Sequence, residues 1–310
     1  MERFKIDCLP LISQTAAEPP VLDEQRSYVD RWGVERRLPS VSGHYYVTRP
    51  PLASAGRMSE LHAYTWPEPR TNFALLREQA AHLRATTDKA LILNLEVGFL
   101  HQAQFVRGFD RWLMDLAADP PFAEALMDAI LEIWLAEAEA TIRAVGDCAD
   151  VVVYADDIAF QDRPIFSMAM YRKLIRPRQR RVFDLMRRSG MKVFYHSCGN
   201  VRPLLADLVE MGVDILNPVQ VSAEGMGNTA ALKEQWGDEL VFWGGIDTQA
   251  VLPRGSTGDV CQEVMRRLND LAPGGGYVLA PVHDVQPEVP PANLCAMFDA
   301  TGEWEEHAAG

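Results

Sequence analysis

Six short apolar runs, each followed by a stretch with helical character, constrain this chain more than any other feature. They are KALILNLEV (89–97), DVVVYA (150–155), KVFYHS (192–197), VDILNP (213–218), LVFWGG (240–245) and YVLAP (277–281). Their hydrophobicity is continuous rather than alternating, which suits strands covered on both faces, as in a parallel sheet. The segments between them read as helices, including 108–119, 121–146, 168–190, 202–212, 229–237, 258–272 and 291–301. Pro120 and Pro121 stand where a helix start tolerates proline. Pro177, inside 168–190, predicts a break or kink. The next helix after DVVVYA is expected to start near Ser167. Repeated βα units give either a doubly wound sheet or a (β/α)8 barrel.

No GxGxxG follows a strand and no phosphate-binding loop of the GxxxxGK type occurs; GGG (274–276) precedes a strand and reads as a turn. Residues 1–70 are irregular and proline-spotted, and 73–87 reads as the first helix. Without an internal repeat, long linker or low-complexity tract, residues 1–310 read as a single domain with 1–70 an irregular N-terminal segment.

The net charge of −13 argues against nucleic acid or an anionic membrane as the main partner. No apolar run approaches the roughly 18 residues of a membrane span, and MERFKIDCLPLISQ has no signal-peptide core. The five cysteines are odd in number and scattered, which is no disulfide framework. A cytoplasmic protein with reduced thiols is the expectation.

Ionisable and amide side chains follow successive strands: Glu96; Asp156 and Asp157; His196 and Cys198; Gln220; Asp247; then His283 and Asp284. In both candidate architectures active sites form at that edge. In FYHSCGN (194–200) a histidine and a cysteine one residue apart can aim at one point, because residues i and i+2 of a strand share a side. His283, 85 residues beyond Cys198 (283 − 198), would supply a third ligand; zinc doing chemistry takes three protein groups and keeps one position open. Two other readings stay open: a buried Cys198 beside a histidine bonded to the backbone, and a cysteine nucleophile with a histidine base. Asp156 or Asp157 could bind a cationic group or complete a metal site, against a solvated or capping role. Arg107 could neutralise an anionic substrate, against a structural salt bridge. The run RPRQRR (176–181) reads as a solvated helix face.

With these pieces placed, the chain resembles the uroporphyrinogen decarboxylase superfamily, in its branch of decarboxylase-like proteins and corrinoid-dependent methyltransferases. The likeness spans roughly 28–302. It rests on YVDRWGVERR, on FLHQAQFVRGFDRWLMDLAADP, on YADDIAFQDRPIFSMAMYRKLIRP, on KVFYHSCGNVRPLLADLVEMGVDILNPVQ, and on the block from FWGGIDTQ through APGGGYVLAP to PPANLCAMFDA. The resemblance implies a (β/α)8 barrel, with an altered or missing first strand, because relatives carry more residues before DRWGV; FKIDCLP is the candidate remnant or substitute. True decarboxylases of this family grip substrate carboxylates with an arginine-rich stretch near the N-terminus, and MERFKIDCLPLISQTAAEPP has none.

The zinc methyltransferases of the superfamily hold the metal with His-x-Cys and a late cysteine, and transfer a methyl group between a corrinoid protein and an acceptor thiol. His196 and Cys198 match; the late cysteine falls at or next to His283. The resemblance therefore implies zinc on His196, Cys198 and His283, a methylcorrinoid supplied by a corrinoid-binding partner protein, and a small-molecule acceptor. Replacing a thiolate by imidazole makes the metal more positive and a thiolate bound to it less nucleophilic. Asp156, Asp157 and His283 are the expected catalytic groups; Glu96, Arg107, Gln220 and Asp247 the expected substrate-binding ones. The rivals are a metal-free lyase acting on a carboxylated substrate, with Asp156 or Asp157 stabilising a protonated intermediate and His283 donating the proton, and a non-catalytic small-molecule-binding barrel. A homo-oligomer fits any of these.

Overall fold

The computed structural model describes residues 4, 6–12, 21–39 and 45–308, without the side chains of Glu96 and 305–308. In chain order its strands are β1 (Cys8–Ile12), β2 (Ser27–Val29), β3 (Glu35–Arg37), β4 (Tyr46–Arg49), β5 (Ala90–Val97), β6 (Val151–Ala155), β7 (Lys192–His196), β8 (Ile215–Val219), β9 (Val241–Ile246) and β10 (Tyr277–Pro281). Two compact units divide the chain. One holds Met1–Pro10, Asp88–Ile92 and Asp150–Gly310; the other holds Leu11–Thr87 and Leu93–Ala149.

The principal sheet has the order β1-β5-β6-β7-β8-β9-β10, seven parallel strands. That is the (β/α)8 architecture with an incomplete strand set. β1, built from the CLPLI stretch, stands at the end where an altered or missing first strand was expected.

In the first unit the predicted runs become strands because both faces find apolar cover. Ile92, Val151, Val153, Phe194 and Ile215 form one cluster, joined by Cys8, Ala90, Val241 and Trp243. The alternate residues Val152, Tyr154, Val193, Tyr195, Leu216 and Phe242 are fully buried as well. Each large apolar side chain so buried contributes about 1.5–3 kcal/mol. Acids clamp the strand starts: Asp150 accepts from the Leu91 N–H at 2.7 Å, and Asp214 from the Val193 N–H at 2.8 Å. The glycines at 274–276 all take positive φ in the turn before β10 (77°, 82° and 74°), a conformation that disfavours other residues.

The helix expected over 168–190 starts after Ser167, whose hydroxyl accepts from the Met170 N–H at 3.2 Å. The break predicted at Pro177 takes a specific form. A π-helical turn, Tyr171–Ile175, precedes a fresh helix Arg176–Arg188 with the proline in its first turn, where a missing N–H is harmless. RPRQRR is not wholly a solvated face. Arg178 and Gln179 are buried, being one turn from Ile175, Val182 and Phe183 on the apolar side. Arg176 and Arg180 pair with Asp207 and Glu210. Farther on, Thr257–Leu271 packs Val260, Val264 and Leu268 against Met297 and Ala300 of Pro291–Ala308.

The second unit carries the long helix Pro120–Val145, capped by Asp119. In the stretch read as irregular it forms a three-stranded antiparallel sheet, β2-β3-β4. Asp30 makes its first turn by accepting from the N–H groups of Trp32 and Val34, and pairs with Arg36 at 2.7 Å. Among the described residues no helix is long and apolar enough to cross a membrane.

Candidate metal centre

Parallel pairing brings the carboxyl ends of β6 to β10 to one rim. Ala155 pairs with His196, His196 with Asn217, and Ile246 with Pro281. His196 is the last residue of β7, and its cross-strand neighbour is Asn217 of β8. Its Nδ1 lies 2.5 Å from Asn217 Oδ1. The Asn217 NH2 donates to the Trp243 carbonyl at 3.3 Å, which leaves Oδ1 to face the histidine. His196 therefore carries its proton on Nδ1, and the Nε2 lone pair points away from the strand pair. It meets the Cys198 sulfur at 3.7 Å.

Cys198 is held through its backbone. Its N–H donates to Asp157 Oδ1 at 2.7 Å, and the neighbouring Ser197 N–H donates to the Asn217 carbonyl at 2.8 Å. Gly199 turns the chain next, with φ +93° and its N–H given to Gln220 Oε1 at 2.6 Å. Gln220 in turn donates to Gln161 at 3.1 Å. A Cβ on Gly199 would lie 2.5 Å from the Phe160 carbonyl oxygen and 2.7 Å from that of Ala159. Gly199→Ala is accordingly expected to lower stability by about 1–3 kcal/mol, measurable by denaturant unfolding, with the turn after Cys198 displaced.

His283, two residues past β10, is exposed, and its ring centroid is 5.9 Å from that of His196. Ligand atoms of His196, Cys198 and His283 all lie within 4.8 Å of one another. Zinc bonds of about 2.0–2.3 Å in a tetrahedron put ligand atoms about 3.3–3.8 Å apart. The His196–Cys198 pair already has that spacing, and a movement of about 1 Å by the exposed ring completes it. Two imidazoles and a thiolate suit zinc, so the residues present fit the metal.

Burial pushes the Cys198 thiol up to about 12, and the charge of Asp157 adds to the effect. A bare thiol of that acidity is only about one part in 10,000 thiolate at pH 8. A free-nucleophile reading is therefore poorly served, and a cation is what would favour the thiolate. Metal-free protein is expected to alkylate at Cys198 negligibly at pH 8 with iodoacetamide, with the rate still rising above pH 10; peptide mapping reads both.

The other sequence candidates are placed as follows. Asp156 is fully buried and accepts from the Tyr154 hydroxyl, while its carbonyl accepts from Tyr195 at 2.7 Å. Asp247 is buried and accepts from the N–H groups of Gln249, Ala250 and Val251, holding the turn that leads into the helix Val251–Arg254. In the second unit Arg107 is buried, paired with Asp115 at 2.6 Å and donating to the carbonyls of Leu52 and Ala55. The Glu96 side chain lies outside the described residues. Asn217, Gly199 and Gln161 were not singled out from the sequence. The signal for Asn217 was its place at the end of the strand run after KVFYH.

Residues 30–304 match the family model described as uroporphyrinogen decarboxylase (URO-D). The chain belongs to the uroporphyrinogen decarboxylase family. It is 25% identical over 249 residues to the methylcobamide:CoM methyltransferase MtbA of Methanosarcina acetivorans, covering 80% of this chain and 68% of that protein. A solved methyltransferase from Methanosarcina mazei superimposes with a TM-score of 0.71 at 19% identity, over 98% of this chain and 82% of that one, and so shares the fold. The family match and the methyltransferase relative put the chain on the methyltransferase side of the uroporphyrinogen decarboxylase family and make it an enzyme.

Proposed function

We propose that this enzyme moves a methyl group between a corrinoid protein and a small acceptor, using zinc held by His196, Cys198 and His283. The observation that carries the reading is the convergence of those three ligand atoms within 4.8 Å, with the His196 lone pair already directed at the site by Asn217. The methylcobamide named for its relative supports the corrinoid as methyl carrier.

A bound zinc would acidify an acceptor thiol and hold it as the thiolate. The rest is the work of this chain. Asn217 keeps the His196 proton on Nδ1, so Nε2 stays a donor of electrons at any pH where the imidazole is neutral. Asp157 and Gln220 fix the backbone on either side of Cys198, which sets where the sulfur points. Asp156, bonded to Tyr154 and beneath Asp157 in sequence, anchors the acidic turn rather than facing solvent. That placement gives a lyase built on Asp156 less support than methyl transfer.

The test is elemental analysis of the purified chain together with methyl transfer from free methylcobalamin to a panel of small thiols, followed by loss of the methyl–cobalt absorbance. The expected result is close to one zinc per chain and thiol-dependent demethylation that stops when a chelator removes the metal. A folded protein that demethylates methylcobalamin equally well without metal overturns the zinc assignment. A zinc-loaded protein inert toward every thiol, with the free cofactor and with corrinoid protein alike, overturns methyl transfer to a thiol.

A further inference from the structure

The three ligands are not held alike. The Nδ1–H of His196 is donated to Asn217, a bond that tightens when Nε2 gives electrons to a cation. Cys198 is gripped through the backbone by Asp157, with Gln220 holding the residue after it. His283 is exposed, and its Nδ1 accepts the N–H of the next residue, Asp284, at 2.8 Å. A neutral imidazole has one lone pair and one N–H. With the lone pair on Nδ1 taken by Asp284, the proton sits on Nε2, and neither nitrogen is ready for a metal. Ligation through Nδ1 displaces the Asp284 N–H. Ligation through Nε2 moves the proton to Nδ1, where it would face another donor, so the ring must turn away. On either route the Asp284 bond breaks when His283 binds and reforms when it leaves.

Taking the cation to sit between the three side chains, as proposed above, we propose that His283 is an exchangeable ligand: His196 and Cys198 retain the metal, and His283 alternates between the cation and the Asp284 amide, opening a position for substrate. The loop that carries it suits the motion. Asp284 and Val285 are exposed beside it, and the hydrogen bond from Gln286 to the Asp284 carbonyl stays within the same loop. Release from Nδ1 breaks one metal–nitrogen bond and returns that lone pair to the Asp284 N–H; release from Nε2 also returns the ring proton from Nδ1 to Nε2 through water before the Asp284 bond reforms.

Cobalt(II) titration tests this, read by absorbance and by competition with a chelator. His283→Ala is expected to keep one cobalt per chain and the sulfur-to-cobalt charge-transfer band, with affinity down about tenfold and altered ligand-field bands. His196→Ala and Cys198→Ala are expected to lose at least about 100-fold. Asp284→Pro removes the competing amide hydrogen and leaves His283 in place; folded Asp284→Pro protein is expected to bind cobalt about 2- to 12-fold more tightly, the fold-change of one hydrogen bond. A His283→Ala loss as deep as that of His196→Ala overturns the proposal, because His283 is then a fixed ligand. An unchanged spectrum and affinity overturns it too, because His283 then never binds. Folded Asp284→Pro protein that binds no tighter does the same. Parent protein that takes up no cobalt and no zinc refutes the metal site itself, a result distinct from the other three.

Discussion

Cys198→Ala is expected to reduce bound zinc to below about one tenth of an equivalent and to cut methyl transfer at least about 1,000-fold, the rate equivalent of several kcal/mol of lost metal assistance. Cys198 offers the one sulfur of the three proposed ligands, and the one that becomes an anion on binding a cation. Two neutral imidazoles do not replace that charge. In metal-free protein the change should be nearly silent, within about 1 kcal/mol by denaturant unfolding, because the residue is held chiefly by its backbone N–H, and its side chain adds only the 3.7 Å contact with His196. Comparing metal-free stabilities thus separates loss of the site from loss of the fold. Cys198→Ala protein that keeps a full equivalent of zinc would falsify the ligand assignment.

The second large effect is expected at a residue that touches no metal. Asn217→Leu keeps the volume and deletes the acceptor that fixes the His196 proton. Metal affinity should fall about 10- to 100-fold, the usual consequence of removing the group behind a ligating histidine. The Trp243 carbonyl also loses its partner, so stability should drop by about 1–3 kcal/mol. Asn217→Asp preserves an acceptor facing Nδ1 and should recover most of the affinity. Chelator competition on the parent and both variants decides the matter: equal affinities across all of them would show that Asn217 serves the strand pair and not the site.

Much of this is legible in the amino-acid sequence alone. Strands buried on both faces write themselves as unbroken apolar runs, so β5 to β10 were readable nearly to the residue. In a parallel sheet the residues after those runs must share a rim, and that brought His196, Cys198 and His283 forward. Side chains read as free to meet substrate were harder. Arg107 reads either as an anion binder or as a structural salt bridge, and its pairing with Asp115 and with the carbonyls of Leu52 and Ala55 depends on residues eight and more than fifty positions away. Asp247 reads as a rim acid, yet it holds the turn into a four-residue helix too short to announce itself by periodicity. Asn217 went unremarked because its role lies in pairing register, which local pattern does not encode. The small sheet of β2 to β4 was hidden for a different reason. Its strands are three or four residues long and partly exposed, so they carry no apolar run to notice.

The register that sets Asn217 opposite His196 also ties chemistry to folding order. A ligand trio drawn from the end of β7 and from beyond β10 skips two intervening strands, so it exists only after β8 and β9 have joined the sheet. Metal uptake at the proposed site would then report completed assembly. By mass action, zinc at 1,000 times its dissociation constant would add about 4 kcal/mol to the native state over any unfinished one, so a cation held as proposed would be a late fastener of the barrel as well as its reagent.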